Sequence, residues 1–174
     1  MLKKLIITTI AMLAVIAALI GFGSKEIFDK EGYFAKSTNA LTVGSDIDFA
    51  LPNQHDEIHS LQNDTKKVIF VFSKPMGHIV KNYLASQPKE FLPSKNMLFV
   101  ADISPMPVAI RNFMAMPDLK KSKYSVLLIF EPTLAKPLLD EENKDKIIVA
   151  TLENKKIASV TYAVTEKEFL EAIR

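Results

Sequence analysis

The sequence predicts an α/β fold in which a mixed sheet is flanked by helices and preceded by an N-terminal hydrophobic helix. Its 174 residues, 48% of them hydrophobic, suffice for one domain with a substantial core. Short apolar runs typical of buried strands alternate with segments that have helical spacing. The chain closes with a predicted hairpin and helix, and this order indicates a mixed sheet covered on both faces.

Residues 1–23 predict a signal anchor or a signal peptide. Lys3 and Lys4 form a positive head, and residues 5–22 carry no charge. This length lies between that of a cleaved signal and that of a bilayer-spanning helix. The positive head keeps the N-terminus in the cytoplasm and sends the rest across the membrane. We therefore expect a bacterial inner-membrane protein with a periplasmic domain, or a protein secreted to the periplasm if it is cleaved before Ser24.

Composition excludes several classes of function. The formal net charge of +2 comes from Lys3 and Lys4, so the rest of the chain has no bulk attraction for nucleic acid. The sequence has no cysteine, which excludes disulfides, thiol catalysis, cysteine-ligated zinc and iron–sulfur clusters. Only five glycines are present and none forms a phosphate-binding loop, so we expect no nucleotide.

Residues 24–41 are charged and polar and predict a juxtamembrane linker, so the folded domain is expected to span 42–174. Alternating polarity around a turn at 52–57 predicts a hairpin over 42–61. Continuous apolar runs predict three buried strands, at 67–73, 97–103 and 125–130. Helices are predicted at 75–85 and 107–113, and an irregular or partly helical connection at 131–145. A second hairpin is predicted over 147–163, followed by a helix at 165–173 with Thr165 and Glu168 as its capping box.

The first hairpin and its surroundings resemble the thioredoxin-like superfamily, in the version shared by peroxiredoxins and membrane-tethered thiol oxidoreductases. The motif pairs that match that version in order and spacing are Val43-Gly44, Asp48-Phe49, Leu51-Pro52 and Ser60-Leu61, with Gln54 between the last two. The buried strand at 67–73 and the helix after it occupy the place of the family's active-site unit. In architecture the chain is also similar to the periplasmic thioredoxin-like proteins typified by YtfJ.

Departures from the family pattern bear directly on function. Where the redox members carry a nucleophilic cysteine, this chain has the sequence Ser73-Lys74-Pro75-Met76-Gly77-His78. The residues before the strand at 147 include no counterpart of the family's cis-proline. The resemblance therefore implies the fold without thiol redox activity. We interpret the turn from Ser73 to His78 as a surface that binds a protein or peptide partner in the cell envelope.

Two other kinds of chemistry at this turn stay open. A thioether and an imidazole, from Met76 and His78, suit Cu(I), and Met106, Met114 and Met116 could add soft ligands. The alternative for these methionines is core filling, and we otherwise expect no cofactor. A cysteine-independent enzyme would need a base beside Ser73, and the sequence around it is not a nucleophile elbow. Ser73 is better explained as the N-cap of the following helix.

Two further features of the sequence could form binding sites. His55 and His59 have the spacing of a zinc pair on a helix, but they fall in a predicted hairpin and are expected to be solvated turn residues. The loops at 104–107 and 117–123, with exposed proline and methionine around Phe113, could form an apolar contact surface.

Overall fold

The computed structural model describes residues 32–174. The predicted N-terminal hydrophobic helix, residues 1–23, and residues 24–31 of the predicted linker lie outside the described residues. Across residues 32–174, none of the helices has the length and apolar character needed to cross a membrane.

The described chain forms two sheets. An antiparallel sheet contains β1 (Phe34–Ser37), β2 (Ile47–Pro52) and β3 (Ile58–Ser60) in that order. A mixed sheet has the order β6-β5-β4-β7-β8. Its strands are β4 (Lys67–Val71), β5 (Met97–Asp102), β6 (Leu127–Ile129), β7 (Ile147–Glu153) and β8 (Lys156–Ala163). β4, β5 and β6 are parallel, whereas β7 and β8 are antiparallel to their neighbours. The mixed sheet and both hairpins are confirmed.

Helical segments connect the strands of the mixed sheet. Between β4 and β5 lie α1 (Lys74–Ser86) and α2 (Phe91–Ser94), and α5 (Pro132–Ala135) follows β6. The connection from β5 to β6 runs without a break through α3 (Val108–Ile110), a π-helical segment (Arg111–Ala115) and α4 (Met116–Leu119). The helix predicted at 107–113 is therefore longer than expected. The chain ends in α6 (Glu166–Ala172), which begins with the predicted capping box.

Each face of the mixed sheet is buried against a different layer. Val68 and Phe70 of β4 pack with the β1–β3 sheet and α5, whereas Ile69 and Val71 pack with α1 and α6. This alternation explains why the strand is a continuous apolar run. The prediction of flanking helices holds fully for one face only, because the small antiparallel sheet covers much of the other.

The fold begins inside the segment predicted to be a linker. β1 pairs with β2 from Phe34 to Ser37, and Leu41 is completely buried. The linker prediction for 24–41 is therefore wrong from residue 34 onward. The sequence did not predict this strand because Ala35 is the one buried residue among its four, so the strand lacks the apolar pattern of a buried strand.

Two bridges tie the small sheet to opposite ends of the mixed sheet. Asp46 pairs with Lys156 at the start of β8, and Asn53 pairs with Leu127 at the start of β6. Beside the first bridge, the amide of Gly44 donates to the Ile157 carbonyl over 2.8 Å with a φ of +89°. That backbone conformation favours glycine, which accounts for the Val43-Gly44 pair of the hairpin motif.

Candidate functional site

The carboxyl ends of β4, β5 and β6 meet at one edge of the mixed sheet, because the three strands are parallel. Open α/β sheets bind ligands at this edge. The turn after β4 begins at Phe72, the loop after β5 begins at Ile103, and the loop after β6 begins at Phe130. These three connections form the candidate site.

Ser73 occupies the N-cap position of α1, as predicted. Its backbone is extended, with φ −131° and ψ 148°, but its hydroxyl makes no capping hydrogen bond. The expected side-chain cap is therefore absent, and the first turn is closed by the Gly77 amide, which donates to the Ser73 carbonyl over 3.0 Å. Pro75 lies in the first turn of the helix, where its missing N–H costs nothing.

The first turn of α1 exposes only part of the predicted binding sequence. Lys74, Pro75 and His78 are exposed to solvent, whereas Ser73 and Gly77 are half-buried. Met76 is also half-buried, and it packs against the apolar cluster between the sheet and α1. The surface that a partner could touch therefore consists mainly of a cation, a proline ring and an imidazole.

A cavity of about 410 Å³ opens between the loops after β5 and β6. Most of its lining is apolar, and it lies at the same edge of the sheet as the turn from Ser73 to His78. The residues that line it are Ser104, Pro105, Met106, Pro107, Val108, Arg111, Phe130, Glu131, Pro132 and Thr133. A cavity of this size and composition suits one large apolar side chain of a bound peptide.

Arg111 forms part of the wall of this cavity and was not singled out in the sequence. Its side chain is 2% exposed, and its Nη1 donates to the Phe130 carbonyl over 2.9 Å. The guanidinium also lies 5.2 Å from the centroid of the Phe130 ring. The sequence does distinguish this residue, because Arg111 is the single charged residue between 103 and 117. A lone charge in such a segment indicates a buried, partnered cation.

Asp102 ends β5 next to the candidate site. Burial raises the pKa of its carboxyl above the ordinary range, and hydrogen bonds from Ser104 partly oppose that rise. One of these bonds is from the Ser104 amide to the Asp102 Oδ1, at 2.8 Å. The carboxylate thus fixes the start of the loop that forms one wall of the cavity.

The methionines proposed as soft metal ligands lie in different environments. Met106 lines the cavity, Met114 is 65% exposed, and Met116 is 4% exposed within the core. Core filling, the alternative explanation, applies to Met116 and to the half-buried Met76.

The two histidines of the first hairpin lie in its turn and on β3. His55 is exposed, and its amide donates to the Asn53 Oδ1 over 2.8 Å. The His59 Nε2 lies 3.2 Å from the Asn53 Nδ2 and 3.9 Å from the Glu57 Oε2. Among residues 32–174, no three histidine, aspartate or glutamate side chains are grouped so that they could hold a metal ion.

Before β7, where the superfamily that the sequence resembles has a cis-proline, this chain has Lys146. Lys146 directly precedes β7. Because Ile147 pairs with Val71, Lys146 lies beside the turn that begins at Phe72. No cis peptide bond occurs in the described part of the chain. Lys146 Nζ donates to the Asn143 side chain over 2.7 Å and lies 5.4 Å from the centroid of the Tyr162 ring.

No protein-family model and no curated protein matches the sequence. Solved structures are similar in fold. A protein from Bacteroides thetaiotaomicron, described as a "putative protein disulfide isomerase", aligns with a TM-score of 0.52 at 12% identity over 80% of this chain and 89% of its own. An uncharacterized thioredoxin-like protein from Porphyromonas gingivalis aligns with a TM-score of 0.45 at 14% identity over 79% and 92% of the two chains. The order of strands and helices and the first of these alignments together show that this cysteine-free protein has the thioredoxin-like fold.

Proposed function

We propose that the protein is an envelope-associated binding module without thiol redox activity. Its N-terminal segment anchors it in the bacterial inner membrane, and its thioredoxin-like domain lies in the periplasm. The domain binds a protein or peptide partner through the turn from Ser73 to His78 together with the cavity between the loops after β5 and β6.

The absence of thiol chemistry is supported by the sequence. There is no cysteine at any of the 174 positions, and Ser73 begins the helix at which the redox members of the fold place their thiolate. A serine hydroxyl cannot take part in disulfide exchange, which requires a thiolate. The edge of the sheet that performs redox chemistry in those members therefore carries no thiol in this chain.

The single observation that carries the proposal is the position of the 410 Å³ cavity at the carboxyl edge of the parallel strands. Its walls combine proline rings and the Met106 side chain with the buried Arg111. The exposed Lys74, Pro75 and His78 follow β4 at the same edge. A partner can thus place an apolar side chain in the cavity and an extended segment along the turn.

A photo-crosslinking experiment on the full-length protein tests this proposal. A benzophenone amino acid is introduced in turn at Lys74, at His78 and, as a control, at Lys156, which lies at the opposite edge of the sheet. In bacterial cells we expect Lys74 and His78 to give the same adduct, and Lys156 to give none. The adduct is then identified by mass spectrometry.

The adduct protein, once purified, is titrated against the full-length chain. Met106→Glu should weaken binding about tenfold or more, since it places a charge in the apolar cavity at a cost above about 1.4 kcal/mol. The surface control Lys156→Glu should leave the Kd unchanged. Equal effects of the two substitutions, or no shared adduct from Lys74 and His78, would overturn the proposed binding site.

A further inference from the structure

The connection between β5 and β6 exposes a row of apolar side chains. Ile110 is 46% exposed, Phe113 56% and Met114 65%, and Pro117 is also exposed. We call these four residues the exposed apolar face. Phe113 and Met114 follow Ile110 by three and four residues and precede Pro117 by four and three, so the four residues follow one side of the helical segment. The core side of the same segment carries Met116.

The π-helical segment explains how this face arises. It adds a residue to the turn, so that Arg111 and Met116, five residues apart, are both buried. Phe113 and Met114 between them are left facing solvent. Large apolar side chains grouped on a surface are typical of a contact with another protein or with a membrane.

Basic residues follow the exposed apolar face in the sequence. Lys120, Lys121 and Lys123 follow α4 directly and are exposed. Between residues 103 and 130 the sequence has four basic residues and one acidic residue, Asp118, which is bonded to Lys81. Apolar side chains followed by lysines fit the interface of an anionic bilayer, where the apolar groups enter the headgroup region and the cations contact lipid phosphates.

The proposed anchor brings the bilayer within reach of this surface, and in this respect the inference rests on the proposed function. Residues 24–33 separate the predicted anchor from β1 and span at most about 35 Å even when fully extended. Such a short tether gives the domain a high effective concentration at the membrane surface. A weak contact of three or four side chains then suffices for docking.

We propose that the exposed apolar face, with Lys120, Lys121 and Lys123, docks the domain onto the anionic surface of the membrane that anchors it. The site for the partner, which includes Val108 and Arg111 in the same connection, then lies close to the bilayer. The partner would therefore be a membrane protein or a segment that emerges from the membrane.

The absence of cysteine allows a direct test, because a single introduced cysteine is the only thiol in the chain. A nitroxide is attached at Met114→Cys or at Ile110→Cys in the full-length chain, reconstituted in phosphatidylethanolamine–phosphatidylglycerol vesicles. Val43→Cys is the control, since Val43 is 67% exposed beside the β8 end of the sheet. Power saturation measures collisions of each label with lipid-soluble oxygen and with a water-soluble nickel complex.

Docking predicts that the ratio of oxygen to nickel collisions rises at 110 and 114 but not at 43. The rise should disappear in phosphatidylcholine vesicles and when Lys120, Lys121 and Lys123 are all changed to Glu. Labels at 110 and 114 that are as accessible to nickel as the control label would overturn the proposal. Labels shielded from both probes, or dipolar coupling between the labels of two chains, would also overturn it, because either result indicates contact with protein instead of lipid. Alkaline extraction tests the anchor separately: a chain that resists extraction but keeps its labels in water is anchored and not docked.

Discussion

The side-chain amide of Gln54 pairs with the backbone on both sides of Ser125, where the chain enters β6. Its Nε2 donates to the Tyr124 carbonyl over 2.8 Å, and its Oε1 accepts from the Val126 amide over 3.0 Å. Gln54 is 2% exposed. One side chain thus substitutes for a neighbouring strand and attaches the turn of the first hairpin to the edge of the mixed sheet.

Replacement of Gln54 should therefore be costly. Gln54→Ala removes both bonds and leaves a buried carbonyl and a buried amide without partners, which should lower the free energy of unfolding by about 2–4 kcal/mol. Gln62→Ala is the matched control, because the Gln62 amide donates only at the surface. We expect that control to change stability by less than about 0.5 kcal/mol. Urea unfolding followed by circular dichroism measures both values, and equal stabilities would contradict the structural role.

The sequence motif identified Gln54 but could not reveal its partners. The bond to Tyr124 spans 70 positions, so it exists only after the two sheets have packed together. β4, β5 and β6 were predictable because each lies within a continuous apolar run of the sequence, whereas β7 and β8 were predicted as a hairpin. β1 was not, because its pairing with β2 depends on tertiary contacts that its own residues do not indicate.

The part of the candidate site that could be predicted is the part for which the resemblance to the thioredoxin-like superfamily identified residues. The position of the turn from Ser73 to His78 follows from the order of the preceding strand and α1. The cavity requires two loops that are more than twenty residues apart in sequence, and its Arg111 is held by the Phe130 carbonyl. No local pattern specifies such a contact, although the isolated charge of Arg111 marked the residue.

Two aspartates should contribute to the free energy of unfolding with opposite dependence on pH. Burial raises the pKa of Asp102, so its ionisation costs stability as pH rises above the ordinary aspartate value near 3.9. Asp102→Asn should therefore stabilise the protein at pH 7, and the gain should vanish below about pH 3.9. A gain that persists unchanged in acid would show that the substitution acts through packing instead.

Asp118 provides the contrasting case. The hydrogen bond from Lys81 lowers the pKa of Asp118, with the positive charges of Lys81 and Lys121 acting in the same direction. Asp118→Asn should destabilise the protein at pH 7, and the deficit should disappear as pH falls through the lowered pKa. Urea midpoints of the wild type and both variants between pH 7 and pH 3 test the two signs together. Parallel curves would contradict both assignments.

The capping box of α6 should contribute measurably to stability. The Thr165 hydroxyl accepts from the Glu168 amide over 3.2 Å, and the Glu168 carboxylate accepts from the Thr165 amide over 3.2 Å and from the Val164 amide over 2.8 Å. Thr165→Ala should lower the free energy of unfolding by about 1 kcal/mol, because Phe169 of this helix is part of the core. Thr165→Ser keeps the hydroxyl and should remain close to wild type. A full loss in the serine variant would point to the lost methyl group rather than the cap.

Copper binding separates the proposed function from a metal-carrying one. We expect the full-length protein in detergent to retain no Cu(I) against a competing chelator, because Met76 packs against the core and Met116 is buried within it. Neither sulfur can join the exposed His78 without loss of those apolar contacts. The measurement is an anaerobic titration that records stoichiometry and the change in Tm, with His78→Ala and Met114→Leu as the paired variants. One-to-one binding lost in His78→Ala alone would replace the binding module with a metal carrier that uses the turn from Ser73 to His78.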